Sequence, residues 1–535
     1  MKTMISSIIL ASCLALPLAS CSDSDAAPEQ KDWSTTTYFY SADAAMQDTY
    51  YKPTVGYVGD PMPFFDPVAG DFKVLYLQDF RPNPEGTYHP IWGVSTKDAA
   101  HYTALGELVS CGTLKSQDAA IGTGSTIYDE ASKLYYTFYT GNKYKPTGDE
   151  SAQAVMVATS ADFKTWTKDR TFLLKGQDFG YDKNDFRDPF VFKGDDGKFH
   201  MLISTKKGGK GSLAEFVSDD LKNWTDNGVF MTMMWDRFYE CPDLFKMGDY
   251  WYLVYSEIHH AVRRVQYFKG RTLDELKACT ANDVARWPDA HEGFLDSRGL
   301  YAGKTASDGT NRYLWGWCPT RSGKDNTAVG ASPAEPEWGG NLVCYKLIQH
   351  EDGTLTLGQV DAVSEKYNQD VAVEVKESQN MTEADGTYTL AGNVEQPDAY
   401  MLMGRLGNHN KISFTVTTTN EWDKFGISMV RGSDSKKYYT MVVNPENEND
   451  RKINFEEQGV EGKGFIAGID GYVFARPADN VYNITIYTDN SICVMYINDV
   501  CSYTNRIYGI QKNCWSIDSF NGASVKVSNL KISQY

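Results

Sequence analysis

The sequence predicts an all-β protein in which a five-bladed β-propeller precedes a C-terminal β-sandwich, and three observations support this. Short apolar or alternating runs separated by turn residues fill the chain, without long helical periodicity. A strand–turn–strand unit recurs five times in the first part of the sequence. After about Asp352 strands continue without that unit. Because 535 residues are too many for one compact core, two domains are expected.

Each repeated unit has a small or acidic residue, an apolar run, a turn and an aromatic-rich run. The five units cover residues 60–77, 124–139, 188–203, 241–255 and 303–317. Units that repeat around an axis in this way form the blades of a propeller. The propeller is therefore predicted at residues 33–348.

A second repeat marks the outer part of three units. It reads Ser95-x-x-Asp98 before Tyr102, Ser160-x-Asp162 before Trp166, and Ser218-Asp219-Asp220 before Trp224. We interpret it as an aspartate-rich turn that joins two edge strands, with the aromatic residue covering the outer rim.

The C-terminal part is predicted to be an antiparallel β-sandwich at residues 381–535, after a linker at residues 349–380. The linker is placed where acidic and polar residues dominate. The run from Ile492 to Tyr496 is nearly continuous in bulky residues, which predicts a strand covered on both faces. The sandwich strands are expected at 411–416, 437–443, 482–487, 492–497 and 523–527.

The N-terminus predicts a leader and a lipid anchor. A short positive start and the apolar run from Ile5 to Leu18 are typical of a signal peptide at residues 1–20. Leu18-Ala19-Ser20-Cys21 resembles a bacterial lipobox, so lipidation of Cys21 and a flexible tether at residues 21–32 are expected. This implies a location at the cell envelope, with membrane contact only through the anchor. Ordinary secretion with an uninvolved Cys21 is the alternative.

Charge and cysteine usage limit the partners. A net charge of −18 argues against nucleic acid, which requires a basic surface, and fits a monomer that acts on a neutral substrate. The cysteines beyond the leader show no CxxC pair and no metal-ligand spacing, so no metal or cofactor is expected and no disulfide can be assigned. They are Cys111, Cys241, Cys279, Cys318, Cys344, Cys493, Cys501 and Cys514.

Three carboxylates stand at the start of the innermost strands of three predicted blades: Asp60, Asp188 and Glu240. Innermost strands line the central channel of a propeller, so these side chains should converge in one funnel. Although Asp-Pro alone is a common turn dipeptide, three matched positions favour a shared function. Converging carboxylates are what cleavage of a glycosidic bond requires.

These motifs, in this order, resemble the three signatures of glycoside hydrolase family 32, the fructosidases that include invertases, inulinases and levanases. The motifs are Asp60-Pro61, Arg187-Asp188-Pro189 and Glu240-Cys241-Pro242-Asp243. The resemblance covers nearly all of the chain after the leader, including a hairpin at residues 489–498 of the predicted sandwich.

The resemblance implies a role for each residue. Asp60 would be the nucleophile that attacks C2 of a fructosyl unit, Glu240 the acid/base, and Asp188 a stabiliser of the transition state. Retention of configuration would place the carboxyl groups of Asp60 and Glu240 about 5–5.5 Å apart. The implied substrate-binding residues are Gln78, Trp92, Ser125, Arg187, Asp243 and Trp338.

The first motif departs from the family pattern. The family usually has Trp-Met-Asn-Asp-Pro-Asn, whereas this chain has Tyr57-Val58-Gly59-Asp60-Pro61-Met62. Both asparagines that flank the nucleophile are replaced, and Thr123 stands where the second loop motif has serine. These changes predict an atypical substrate and an altered site for the terminal fructose.

Three functions remain open at this stage. The first is a retaining hydrolase of fructans or fructo-oligosaccharides. The second is an inverting five-bladed glycosidase of arabinanase-like or xylosidase-like type, which would lack the Glu-Cys-Pro-Asp signature. The third is a surface glycan-binding lipoprotein that has lost catalysis, which the altered first motif favours and the three carboxylates oppose. The stereochemistry of the product separates the first two.

Overall fold

The structure is a computed structural model, and it describes residues 49–233, 238–257, 264–279, 293–321, 336–431, 437–444, 452–456, 472–473 and 476–535. The predicted leader, tether and lipidated Cys21 lie outside these residues and stay predictions. Within the described part of the chain, no helix is long and apolar enough to cross a membrane.

Five antiparallel sheets form the blades, and each unit found in the sequence supplies the two inner strands of one blade. The strands of the first three blades are β1 (Tyr57–Asp66), β2 (Asp71–Asp79), β3 (Ile91–Thr96) and β4 (Thr103–Val109); β5 (Ala120–Asp129), β6 (Leu134–Asn142), β7 (Gln153–Ser160) and β8 (Thr167–Lys168); and β9 (Phe186–Lys193), β10 (Phe199–Lys207), β11 (Lys210–Ser218) and β12 (Thr225–Thr232). Those of the last two are β13 (Glu240–Met247), β14 (Tyr250–Glu257) and β15 (Arg264–Gly270); and β16 (Tyr301–Ser307), β17 (Arg312–Arg321), β18 (Pro336–Gln349) and β19 (Leu355–Gly358).

The innermost strands form a closed ring. They contact one another in the cyclic order β1, β5, β9, β13, β16 and back to β1. The first and fifth blades are also joined by a bridge between β1 and β18, at Val58 and Gly340. The predicted propeller is confirmed, and its central axis is lined by the strands that carry the three carboxylates.

The outer aspartate turns form as predicted, with one correction of register. In each turn the aspartate accepts hydrogen bonds from two backbone N–H groups at 2.8–3.0 Å, which satisfies donors that the strands leave unpaired. A hydroxyl two residues earlier bonds the same carboxylate at 3.0–3.2 Å. In the first blade that hydroxyl belongs to Thr96, not to Ser95. The three pairs are Thr96 with Asp98, Ser160 with Asp162, and Ser218 with Asp220.

The sandwich consists of two antiparallel sheets that enclose an apolar core. One sheet contains β20 (Gln369–Val371), β22 (Met381–Ala384), β23 (Thr387–Ala391), β25 (His409–Thr418), β30 (Val481–Asp489), β31 (Ile492–Ile497), β32 (Cys501–Arg506) and β34 (Ser524–Gln534). The other contains β21 (Val375–Gln379), β24 (Ala399–Arg405), β26 (Phe425–Arg431), β27 (Lys437–Asn444), β28 (Lys452–Glu456), β29 (Tyr472–Val473) and β33 (Cys514–Ser519). In the described residues, two short α-helices, α1 (Leu273–Ala278) and α2 (Asp361–Lys366), and two 3₁₀ turns, Gly176–Phe179 and Ile510–Lys512, lie between strands.

The predicted linker at residues 349–380 is shorter in the structure. Strand β19 pairs with β18 and extends the fifth blade to Gly358. Strand β20 pairs with β34, and β21 pairs with β24, so both belong to the sandwich. The polar composition of this segment reflects exposed edge strands rather than a connection without structure.

Strand β31 is buried on both faces, as the sequence predicted. Cys493, Met495 and Ile497 point into the core of the sandwich. Ile492, Val494 and Tyr496 pack against the propeller, in an apolar cluster that includes residues of the first, fourth and fifth blades. The alternation of a strand thus places one set of side chains in each domain.

Polar contacts extend this interface towards the propeller axis. Arg506, in the sandwich, donates to the carbonyl oxygens of Cys318 at 2.9 Å and Pro319 at 3.1 Å. Asp296, in the propeller, accepts from the Thr504 amide and hydroxyl at 2.8 Å each, and burial raises the pKa of its carboxyl to about 6. The Arg506 contacts fix the part of β17 that follows Trp317.

The eight cysteines named above all lie in described residues, and none of them forms a disulfide. Five are buried: Cys241, Cys318, Cys344, Cys493 and Cys501.

Candidate active site

Each innermost strand contains a β-bulge at the same place. In β1 the register with β2 breaks between Gly59 and Met62, and the other four inner strands break at the corresponding point. A bulge inserts an extra residue and changes the direction in which nearby side chains point. The first bulged residue has positive φ in four of the five strands, 29° at Asp60, 58° at Asp188, 52° at Cys241 and 52° at Ala302.

Alignment of the five bulges corrects the sequence-based equivalence of the carboxylates. Asp60 and Asp188 both occupy the first bulged position, but in the fourth blade that position is Cys241. Glu240 lies one residue earlier, where the first blade has Gly59. The complete sets are Asp60, Thr123, Asp188, Cys241 and Ala302 at the bulge, and Gly59, Gly122, Arg187, Glu240 and Tyr301 before it.

Asp60 is held by two neutral donors from neighbouring blades. The Thr123 hydroxyl donates to Oδ2 at 2.6 Å, and the Trp317 indole Nε1–H donates to Oδ1 at 3.1 Å. Loss of solvent raises the pKa of Asp60 above its ordinary value, while these two hydrogen bonds oppose the rise. Both oxygens are therefore fixed in direction, as a nucleophile requires.

Glu240 is held by a cation and a phenol. Arg187 donates from Nη2 to Glu240 Oε1 at 3.0 Å, and the Tyr301 hydroxyl donates to Oε2. Arg187 is itself fixed, because Nη1 donates to Asp185 at 2.7 Å and the guanidinium lies 3.7 Å from the centre of the Phe238 ring. The Glu240 side chain is 16% exposed, so it remains accessible from the cavity.

Asp188 is buried. Its strand, β9, lies between those of Asp60 and Glu240 in the order of the ring. The Cys241 backbone N–H donates to its Oδ2 at 2.9 Å, and Arg187 Nε lies 4.0 Å from the same oxygen. Burial raises the pKa of Asp188 to about 6; Arg187 and the Cys241 N–H lower it, and the charges of Glu240 and Asp60 raise it. This carboxyl can therefore accept or donate a hydrogen bond to a sugar hydroxyl near neutral pH.

The three carboxylates meet in one cavity of about 280 Å³. Arg187 and Trp338, two of the predicted substrate-binding residues, also line it. The remaining lining residues are Leu77, Tyr88, His89, Ile121, Gly122, Thr123, Thr140, Asn142, Gln153, Cys241 and Tyr301.

The structure does not place the other four predicted substrate-binding residues in this cavity. Asp243 lies deeper, where it accepts hydrogen bonds from Thr305 N at 2.7 Å and Thr305 Oγ1 at 2.6 Å. Ser125 is at the same depth and joins two blades, since its hydroxyl donates to the Pro189 carbonyl at 2.9 Å.

The last two of the four, Gln78 and Trp92, also have structural contacts. Gln78 is buried, with its amide donating to the Val55 carbonyl. Trp92 packs edge-on against Phe80, with 6.1 Å between the ring centres. Asp243 and Ser125 follow the bulges of β13 and β5, whereas Gln78 and Trp92 lie in the second and third strands of the first blade. Motif membership alone did not reveal these positions.

Gly59 and Trp338 explain the altered first motif. A Cβ atom built on Gly59 would lie 2.1 Å from the Trp338 indole, so the absence of a side chain at Gly59 is what allows this ring to cover β1. Arg81 fixes the strand of Trp338, because Nη2 donates to the Trp338 carbonyl at 2.6 Å. Met62, at the other altered position, is buried in the propeller core.

Three further residues at the carboxylates or in the cavity belong to no sequence motif: Tyr301, Trp317 and His89. Tyr301 and Trp317 are paired opposite each other in β16 and β17. Tyr301 bonds Glu240 of the preceding blade, and Trp317 reaches Asp60 because the ring closes between the fifth blade and the first. The sequence held no signal for Tyr301, because its equivalence with Glu240 is defined only by the pairing of β16 with β17. Among the described residues, no group of three or more His, Cys, Asp or Glu side chains is arranged to hold a metal ion.

Comparison with known proteins covers both domains. The protein-family model described as "Glycosyl hydrolases family 32 N-terminal domain" matches residues 50–361. A second family model, "GH32, BT1760-like, C-terminal domain", matches residues 353–532. Among curated proteins, the insoluble β-fructofuranosidase isoenzyme CWINV2 of Arabidopsis thaliana is 25% identical over 309 residues, which cover 52% of this chain and 50% of that protein.

Sucrose-6-phosphate hydrolase of Vibrio alginolyticus is 24% identical over 237 residues, which cover 42% of this chain and 45% of that protein. The chain thus spans about half the length of the curated relatives it matches.

Solved structures share the whole architecture at low identity. Exo-inulinase from Aspergillus awamori has a TM-score of 0.67 at 16% identity, covering 91% of this chain and 98% of that one. Sucrose-6-phosphate hydrolase from Lactobacillus gasseri has a TM-score of 0.66 at 18% identity, covering 91% and 94%. These likenesses confirm the predicted fold of propeller and sandwich.

Proposed function

Because the chain belongs to glycosyl hydrolase family 32, we propose that it hydrolyses β-fructofuranosidic bonds with retention of configuration. The observation that supports this is the convergence of Asp60, Asp188 and Glu240 in one cavity. The resemblance found in the sequence, and with it membership of a glycoside hydrolase family, is confirmed by the two family models.

The first step forms a covalent intermediate. An Asp60 carboxylate oxygen attacks the anomeric C2 of the fructosyl unit, and Glu240 gives its proton to the leaving glycosidic oxygen as the C2–O bond breaks. The hydrogen bonds from Thr123 and Trp317 keep Asp60 directed at the sugar. Asp188 hydrogen-bonds the ring hydroxyls as positive charge develops on the sugar.

The second step restores the enzyme. Glu240, now ionised, removes a proton from water, and the resulting hydroxide bonds to C2 while the C2–O bond to Asp60 breaks. Two inversions give net retention. Arg187 and Tyr301 hold the two oxygens of Glu240 in place through both proton transfers.

We propose fructans or fructo-oligosaccharides as the substrate. The proposal is supported by the polar and aromatic lining of the cavity and by the two family models. Similar solved structures include exo-inulinase from Aspergillus awamori and fructan 1-exohydrolase IIa from Cichorium intybus, which is consistent with this class.

The test is a product profile on levan, inulin, sucrose and short fructo-oligosaccharides, with NMR of the first-formed anomer. We expect fructose or fructo-oligosaccharides to be released with retained configuration, and a Glu240→Gln variant to hydrolyse the same substrate about 10²–10⁴-fold more slowly. Net inversion would favour the arabinanase-like or xylosidase-like mechanism. Binding of levan or inulin by both proteins without hydrolysis by the wild type would identify a glycan-binding protein instead.

A further inference from the structure

His89 lines the cavity beside Asp60, and no motif in the sequence gives it a role. It lies in the connection between β2 and β3. Its backbone has a φ of 60°, in the left-handed region that is unfavourable for a residue with a side chain. Residues other than glycine keep such conformations where surrounding contacts impose them, and these positions cluster at binding sites.

A stacked aromatic ring fixes the plane of the His89 imidazole. It stacks on the Trp338 indole with 4.0 Å between the ring centres and 15° between the planes. Trp338 in turn occupies the space above Gly59, the neighbour of Asp60. The position of His89 therefore depends on the same packing that altered the first motif.

The connection that carries His89 is tied to both adjacent blades. Arg81 donates to Asp79 at 2.9 Å and to Glu337 at 2.6 Å. The Tyr88 carbonyl accepts from Ile121 N at 3.1 Å, which joins the segment to the second blade. The ring thus lies on a rigid support, as a side chain that selects a ligand requires.

The charges around His89 orient its two ring nitrogens. Nε2 lies 3.8 Å from Asp79 Oδ1, and Asp79 is also paired with Arg81. A carboxylate on that side favours the proton on Nε2, which leaves a lone pair on Nδ1. Asp60 is the carboxylate on the cavity side of the ring.

Strand β1 supplies little polar contact of its own to this side of the cavity. Gly59 has no side chain, and Met62 is buried in the propeller core. A sugar held against Asp60 must therefore find its polar contacts on neighbouring segments, and His89 is placed to provide one.

We propose that His89 is a substrate-binding residue whose Nδ1 accepts a hydrogen bond from a hydroxyl of the fructosyl unit held at Asp60. The proposal rests on the proposed function and assigns this residue to the same site. The Trp338 stack fixes the plane of the ring, and Asp79 fixes which nitrogen accepts.

Two substitutions separate hydrogen bonding from packing. His89→Phe keeps an aromatic ring on Trp338 and removes both nitrogens, while His89→Gln keeps a polar group. We expect kcat/KM on the best fructoside to fall about tenfold in His89→Phe, mainly through a higher KM, and to fall less in His89→Gln. His101→Phe, the same change on the exposed outer turn of the same blade, is the matched control and should match the wild type. Thermal unfolding of each variant checks the fold.

An unchanged kcat/KM in His89→Phe would overturn the proposal. Equal losses of kcat/KM in His89→Phe and His89→Gln, caused by kcat alone, would also overturn it, because they indicate a packing role. Calorimetric titration of a fructo-oligosaccharide into Asp60→Asn, with and without His89→Phe, keeps the two proposals distinguishable. Weaker binding after His89→Phe supports the role of His89 even if the wild type hydrolyses no fructoside. Unchanged binding there contradicts it whatever the rates show.

Discussion

Strands β1 and β13 each carry one of the two carboxylates that we propose to react, yet they do so from different positions. Asp60 is the bulged residue of β1, and its partners are the neutral donors of Thr123 and Trp317. Glu240 precedes the bulge of β13, and its partners are the charged Arg187 and the Tyr301 phenol. A shift of one residue along otherwise equivalent strands therefore gives the two carboxylates different neighbours. The chemical role of each is set by the adjacent blades rather than by its own strand.

The largest expected effect comes from replacing each of the two carboxylates, Asp60 and Glu240, in turn. We expect Asp60→Asn to lower kcat by on the order of 10⁴-fold or more, because no other group is placed to bond C2. Glu240→Gln should lower kcat by about 10²–10⁴-fold, the usual contribution of general acid–base catalysis. Initial rates on the best fructoside, with thermal unfolding as the control, measure both. A Glu240→Gln enzyme less active than Asp60→Asn on every substrate would contradict the assignment of roles.

A smaller effect is expected at Gly59, the position in β1 that corresponds to Glu240. Gly59→Ala places a Cβ 2.1 Å from the Trp338 indole and must displace it. We expect a loss of roughly 1–3 kcal/mol in the free energy of unfolding and a fall in kcat/KM of about 10²-fold, since the ring beside the nucleophile moves.

Gly404→Ala is a matched control, because a Cβ there meets nothing nearer than 3.6 Å. Removal of the indole in a Gly59→Ala/Trp338→Ala double variant should make the two losses non-additive. Strict additivity would show that the two residues do not interact.

The smallest expected effect concerns the neutral donors of Asp60. Trp317→Phe removes one of the two hydrogen bonds that lower the pKa of Asp60 against the effect of lost solvent. The pKa should therefore rise, and because the nucleophile must be ionised, the acidic limb of kcat/KM should move to higher pH, with a rate loss of about tenfold.

Trp315→Phe provides the control for that profile. Trp315 lies on the same strand, but its indole donates to the Tyr102 hydroxyl at 3.2 Å instead of to Asp60. The Trp315→Phe variant should have a lower free energy of unfolding, while the acidic limb of its kcat/KM profile stays at the wild-type pH. An equal shift in both variants would mean that the limb reports stability and not the charge of Asp60.

Local patterns in the sequence were sufficient to predict the blades. Strand, turn and strand lie next to one another in the chain, so the alternation around Asp60 and Asp188 and the turns at Asp98, Asp162 and Asp220 needed no tertiary information. The burial of β31 on both faces could be predicted equally well, because a strand buried on both faces must be apolar at every position.

Contacts between blades could not be predicted in the same way. Thr123, Trp317 and Tyr301 come from other blades than the carboxylates they bond, at sequence separations of 63, 257 and 61 residues. The bulges also hid a register difference, so Glu240 looked equivalent to Asp60, and Asp243 and Ser125 looked as if they faced the substrate. A bulge is visible only when the partner strand is known.

Strand β31 has a consequence for how the molecule comes apart. Its alternate side chains belong to two cores, so separation of the domains would expose apolar surface on whichever part kept the strand. Truncation at the domain boundary near residue 360 is consequently not expected to give a stable isolated propeller. Heating should unfold the propeller and the sandwich in one cooperative transition. Destabilisation of the sandwich should therefore also disturb the arrangement of the three carboxylates.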